Sequence, residues 1–133
     1  MNKEEGAQLV GITPENQGET LDKLQEVVKG IVILSDGHKG VYVRADGKEY
    51  TAGVPDSPVV ERTGAGDAFN SGFVAEFMRG AGSREREAMI VKSIQFATAN
   101  SSSVVTMVGS KAGILKKGDW GPWPLVEIGI KQI

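Results

Sequence analysis

Ile31-Val32-Ile33-Leu34-Ser35-Asp36-Gly37-His38-Lys39-Gly40-Val41-Tyr42-Val43-Arg44 is the stretch from which the fold is read. Its first four residues form an unbroken apolar run, too short for a helix, that predicts a strand covered on both faces and hence a parallel sheet. Ser35 to Gly40 reads as a turn. Val41 to Arg44 and then Lys48 to Thr51 flank Ala45-Asp46-Gly47, a hairpin signal. Upstream, Glu4 to Val10 reads as a short helix. Thr20 reads as the cap of a second one, with Leu21, Leu24, Val27 and Val28 as its apolar stripe and Gly30 as its stop. Downstream, Gly53 to Arg62 is an extended loop containing Pro55 and Pro58. A helix is predicted from Ala65 to about Arg79, stopped by Gly80 and Gly82, and another from a Ser83 cap to about Ser101 or slightly beyond. From Val108 the glycines and prolines predict irregular chain with a last strand at Leu125 to Ile130. Strands separated by helices predict an α/β fold, a layered sheet with flanking helices, as a single domain over residues 1–133.

The composition narrows the chemistry. With 133 residues the chain suits one domain, and 15 Lys+Arg against 17 Asp+Glu give a net charge of −2, which argues against nucleic acid or an anionic membrane as partner. No cysteine is present, which excludes disulfides, a thiolate nucleophile and thiolate metal sites, and His38 is the one histidine. No apolar run approaches a membrane span, and the start Met1-Asn2-Lys3-Glu4-Glu5 is acidic and polar, unlike a secretory leader. These features predict a soluble chain of the reducing cytoplasm.

Thr63-Gly64-Ala65-Gly66-Asp67-Ala68-Phe69 carries the chemistry. A proline-containing loop leads into two glycines bracketing an alanine, and a helix follows at once. Glycine admits backbone conformations and close approaches that a Cβ blocks. Amides in the first helical turn lack intrahelical acceptors, and the dipole adds about half a positive charge there, so the turn suits a phosphate. Asp67 falls in the same turn, where negative charge is favoured and a proton acceptor is to hand. Amides that stabilise a transferring phosphoryl group, beside a carboxylate that takes a hydroxyl proton, are parts for phosphoryl transfer. The same string also serves as a plain capped helix start.

Four segments together resemble the PfkB (ribokinase-like) family of carbohydrate and nucleoside kinases. Thr63 to Phe69, followed by Ser71-Gly72-Phe73, is similar to the family's C-terminal signature. Ile33 to Val41 resembles its strand–turn–strand beside the nucleotide phosphates. Asn2-Lys3-Glu4-Glu5 fits its Asn-x-x-Glu motif, and Val104 to Ser110 is similar to the segment near its monovalent-cation and adenine sites. The resemblance runs to about Leu115 and implies the C-terminal half of a ribokinase-like fold.

It also implies roles. Asp67 is the catalytic base, and Gly64, Ala65 and Gly66 supply the anion hole. Ser35, Asp36, Gly37, His38, Lys39 and Gly40 line the nucleotide phosphates, and Asn2 and Glu5 help organise magnesium and phosphate through water. Thr98, or Asn100 two residues on, lies beside the adenine. Glu61, Thr63, Val104, Met107, Gly109 and Gly113 fall where potassium-dependent members surround their cation. The implied cofactors are thus ATP and magnesium, with potassium in some members. Family members are much longer, and the part expected before Asn2 carries the sugar site and lid. A complementary N-terminal half, or self-association through an uncovered sheet edge and apolar flank, is therefore the expected partner, beside nucleotide and sugar.

Three positions depart from the family pattern: Glu61 and Arg62, where Asp-Thr is usual, and Thr98, where an amide side chain is common. Arg62 adds a cation that either contacts a phosphate or pairs with Glu61. His38 and Lys39 read as solvated turn residues, with Lys39 on a phosphate as the alternative. Trp120 and Trp123 read as a surface plug or self-association contact ahead of a base-stacking role. Phe69, Phe73 and Phe77 read as a packing face.

Overall fold

The computed structural model describes residues 1–55, 64–80, 85–106, 113–116 and 118–133. Four helices and four strands are described: α1 (Lys3–Val10), α2 (Gln17–Val27), β1 (Val32–Ser35), β2 (Val41–Ala45), β3 (Lys48–Ala52), α3 (Ala65–Arg79), α4 (Arg86–Val105) and β4 (Ile128–Gln132). A single 3-10 turn, Gly37–Lys39, joins β1 to β2. The chain divides into two compact units: Met1–Gly53 with Ile128–Ile133, and Val54–Glu127.

The first unit is a four-stranded sheet in the order β1-β2-β3-β4, with α1 and α2 packed on it. All three strand pairings are antiparallel, which corrects the expectation of a parallel sheet. The apolar run misled because only one side of β1 is deeply covered. Val32 and Leu34 pack with Leu21 and Leu24 of α2, whereas Ile33 and Ser35 are half-buried. One parallel pairing exists, the isolated bridge between Asn2 and Ser35. The β2–β3 hairpin turns on Asp46 and Gly47, both at positive φ (53° and 75°), the type I′ geometry that follows the strand twist.

Helix ends differ from expectation in places. Thr20 is buried inside α2, not at its start, and its hydroxyl donates to the Asn16 carbonyl at 3.0 Å. At the other end, Gln25 Nε2 donates to the carbonyls of Val28 and Gly30 at 2.8 and 3.1 Å, satisfying acceptors the helix leaves open. The last strand begins three residues later than predicted, at Ile128. It adds to β3 far away in sequence, with Ile130 opposite Tyr50, which no local pattern signals.

The second unit is built on the α3–α4 hairpin. Ala68, Phe69, Gly72 and Phe73 of α3 are buried, as are Ile90, Ile94, Phe96 and Ala97 of α4. Gly72 lets the helices approach: a Cβ there would lie 3.3 Å from both the Ala97 Cα and the Asn100 side chain. The phenylalanine series is a packing face as expected, with Phe73 and Phe77 stacked at 5.9 Å. Trp120 meets Phe96 edge-to-face at 5.2 Å, so it too is a packing residue. The expected Ser83 cap lies outside the described residues.

Candidate functional site

The start of α3 has the features of an anion site. Gly64 sits at the N-cap with φ 86°, a conformation that favours glycine, and no side chain caps the helix. The first amide to find an intrahelical acceptor is that of Ala68, on the Gly64 carbonyl at 2.8 Å. The amides of Ala65, Gly66 and Asp67 therefore face outward along the axis without a helical partner. Asp67 and Gly66 are exposed, and among the described residues Asp67 has no hydrogen-bond or ion-pair partner. A Cβ built on Gly66 meets nothing within 4 Å. The helix dipole and three amides without a partner among the described residues thus open on accessible space beside an exposed carboxylate.

Helix α4 braces this turn. Asn100 is buried, and its Nδ2 donates to the Ala68 carbonyl at 2.8 Å while its Oδ1 accepts from the Leu115 amide, also at 2.8 Å. Ser101 Oγ donates to the Ala65 carbonyl at 3.0 Å. Thr98 is buried with its hydroxyl on the Ile94 carbonyl at 2.8 Å. Thr98 and Asn100, the two adenine candidates, therefore direct their polar atoms into the helix packing. Val104 is buried, and Gly113 is half-buried at φ 80°. Glu61, Thr63, Met107 and Gly109 lie outside the described residues.

The first unit gathers the upstream candidates. Asn2 and Glu5 form a capping box at α1: Asn2 Oδ1 accepts from the Glu5 amide at 2.8 Å, and Glu5 Oε2 accepts from the Asn2 amide at 3.0 Å. The Asn-x-x-Glu spacing that the resemblance assigns to metal and phosphate is thus also the spacing of a reciprocal cap. Glu5 is exposed, and its other oxygen, Oε1, has no partner among the described residues. No group of three or more metal-ligating side chains forms among the described residues.

The turn after β1 closes on itself. Asp36 N–H donates to the Gly40 carbonyl at 2.8 Å, Lys39 N–H to Asp36 at 3.0 Å, and Gly40 N–H to Gly37 at 3.2 Å. The amides of Gly37 and His38 are the ones left without an acceptor among the described residues. Gly40 is conformationally obligatory: its φ is 109°, and a Cβ would sit 1.9 Å from the Ala52 carbonyl oxygen. Lys3 pairs with Asp36 at 3.1 Å, and the hydrogen bond that its ammonium donates to that carboxylate holds the Lys3 pKa above its ordinary value. His38 and Lys39 are exposed, as a solvated turn requires.

Sequence reasoning missed two charge clusters. Arg44 is buried and pairs with Asp22 of α2 and, at 2.8 Å, with Glu49. Burial alone would lower its pKa, but the bonds to Asp22 and Glu49 outweigh that and raise it. Glu76 is also buried and holds Arg79 at 2.6 Å and Lys92 at 3.4 Å. This second cluster lines a cavity of about 290 Å³ with Met89 and Trp120, at the end of α3 remote from Asp67. Hydrophobic periodicity could not flag either cluster, because charged residues in a helix or strand pattern read as solvated.

Residues 1–117 match the profile of the pfkB family of carbohydrate kinases. The chain belongs to that family. A stretch of 50 residues is 38% identical to an uncharacterised sugar kinase of Archaeoglobus fulgidus, covering 38% of this chain and 20% of that protein. This pfkB chain also superposes on a fructokinase of Vibrio cholerae, solved with fructose, ADP and calcium, at a TM-score of 0.77 with 21% identity, over 90% of this chain and 38% of that one. An aminoimidazole riboside kinase of Salmonella enterica, solved with its riboside and an ATP analogue, gives 0.72 with 26% identity, over 84% and 36%. The pfkB chain thus spans little more than a third of the kinase structures it resembles, and its fold is that of the corresponding part of a ribokinase-like protein. The profile ends before β4, so the last strand of the sheet lies beyond the family match. Among the described residues no helix is long and apolar enough to cross a membrane.

Proposed function

We propose that this chain carries the phosphoryl-transfer apparatus of an ATP-dependent carbohydrate kinase. The observation that carries the reading is the start of α3: an exposed Asp67 and three amides, none with a partner among the described residues, behind a left-handed glycine. Asp67 accepts the proton of a sugar hydroxyl as the oxygen attacks the γ-phosphorus of ATP; the bond to the β,γ-bridging oxygen breaks, and ADP leaves. The amides of Ala65, Gly66 and Asp67 stabilise the charge on the transferring group. The turn from Ser35 to Gly40 lines the nucleotide phosphates, with the Gly37 and His38 amides as the available donors. Magnesium, when bound, neutralises phosphate charge, and Asn2 and Glu5 hold its water shell. The buried Thr98 and Asn100 shape the purine side through packing. A potassium site formed by Glu61, Thr63, Val104, Met107, Gly109 and Gly113 belongs to the same reading.

A second reading applies to the chain by itself, and the coverage of its relatives favours it: a nucleotide- or phosphate-binding module that needs a complementary half, or a second copy, to supply the sugar site. Calorimetric titration with ATP and magnesium, followed by phosphotransfer assays over a sugar panel with the N-terminal half of a pfkB kinase supplied, separates the two. Asp67→Asn is expected to keep nucleotide binding and lose about 10²–10⁴-fold of turnover. Retained turnover in that variant removes Asp67 from the mechanism.

A further inference from the structure

Beyond the amides and the carboxylate, the geometry points to Asn100 as a positioning residue for the anion-binding turn, an inference that rests on the function proposed above. Asn100 is 3% exposed. Its two polar ends face two different segments, the Ala68 carbonyl in the first turn of α3 and the Leu115 amide in the 113–116 segment. The partners fix the orientation of the amide group, since a flipped side chain would set its NH₂ against the Leu115 N–H.

Ala68 is the residue next to Asp67, and its peptide groups are held on both sides. Its N–H donates to the Gly64 carbonyl, and its C=O receives Asn100. The Ala65 carbonyl, three residues earlier, receives Ser101. Two carbonyls of one helical turn are therefore tied to successive residues of α4, in addition to their own helical bonds. The amides of Ala65, Gly66 and Asp67 belong to the same rigid turn, so these ties fix where they aim. Gly72 makes the arrangement possible, because its missing side chain lets Asn100 approach to 3.3 Å of where a Cβ would stand. By the same route Asn100 links the anion-binding turn to the segment holding Gly113.

Positioning and mere stability separate in a titration that reads the turn itself. The ¹⁵N-labelled full chain is titrated with inorganic triphosphate while the amide signals of Gly66 and Asp67 are followed, at a temperature where each variant is folded by circular dichroism. In the unaltered chain both signals are expected to shift saturably. Asn100→Leu, which keeps the branched shape of the side chain and removes both bonds, is expected to weaken the triphosphate affinity roughly tenfold or more. An affinity within about twofold of the original in folded Asn100→Leu overturns the positioning role and leaves the proposed function standing. No shift at Gly66 and Asp67 in the unaltered chain sinks the proposed anion site, and this inference with it. Should Asn100→Leu fail to fold, Asn100→Ala is read the same way, since it removes both bonds without adding bulk against Gly72. There a weakened affinity supports α4 as the brace and an unchanged one overturns it.

Discussion

Gly40 and Gly66 ask different things of the same residue type. At Gly40 the chain itself forbids a side chain, by a φ of 109° and by the Ala52 carbonyl 1.9 Å from where a Cβ would stand. Gly40→Ala is expected to destabilise the first unit by about 3 kcal/mol or more, seen as a lower denaturation midpoint. At Gly66 a Cβ would meet nothing within 4 Å among the described residues, so the proposed reading places its constraint in the bound phosphate. Gly66→Ala is expected to leave stability unchanged or to raise it by up to about 1 kcal/mol, while weakening triphosphate binding at the start of α3. Loss of stability with intact binding would reverse that assignment. The Asp67 turn was legible in the sequence because glycines and an acid at a helix start have local causes. Asn100 was less legible: nothing in the sequence shows that its partners are a carbonyl 32 residues earlier and an amide 15 residues later.

Elements are held by charge as well as by apolar packing. Arg44, Glu49 and Lys131 stand opposite one another across β2, β3 and β4, and Arg44 also reaches Asp22 of α2. Removing only the arginine leaves Glu49, 9% exposed, with Lys131 at 3.8 Å as its remaining ion-pair partner. Arg44→Met is expected to cost about 3 kcal/mol in chemical denaturation, and Arg44→Met/Glu49→Leu to recover most of it, because paired removal leaves no buried charge. The Lys3–Asp36 pair ties α1 to the end of β1 with a pH dependence of defined sign. The folded-state pKa of Lys3 is raised above its ordinary 10.5, so its contribution is complete below that value and is lost as pH rises through the folded pKa. The midpoint of Lys3→Gln should fall below that of the original chain at pH 8 and converge on it in strong alkali. A constant gap across the range would assign the effect to packing. Local rules read these elements well where the cause was local. The Asp46-Gly47 hairpin and α3 from Ala65 to Arg79 followed from two-residue turn chemistry and helical spacing. The sheet's antiparallel order and β4's start at Ile128 did not, because both depend on which distant strand lies alongside.

For the whole molecule the telling surface is the open side of α3. Asp67, Asn70, Ser71, Val74 and Met78 recur at helical spacing and are all exposed, with Val74 at 53% and Met78 at 68%. Helix α3 thus buries one side among Ile90, Ile94 and Ala97 and keeps two apolar side chains, Val74 and Met78, in water on the face that carries the proposed catalytic acid. Related kinase structures are nearly three times as long as the part this chain matches. Val74 and Met78 lie one helical turn apart, which makes them the contact to test for association. Sedimentation velocity of the chain alone is expected to show an average mass that rises with concentration above 14.1 kDa. Val74→Lys/Met78→Lys should return it toward the monomer without lowering the denaturation midpoint by more than about 0.5 kcal/mol equivalent, since neither side chain is buried. A chain that stays monomeric at every concentration, with or without the two lysines, would show that the pair is tolerated in water. The acceptor sugar would then have to reach Asp67 without a partner covering this face.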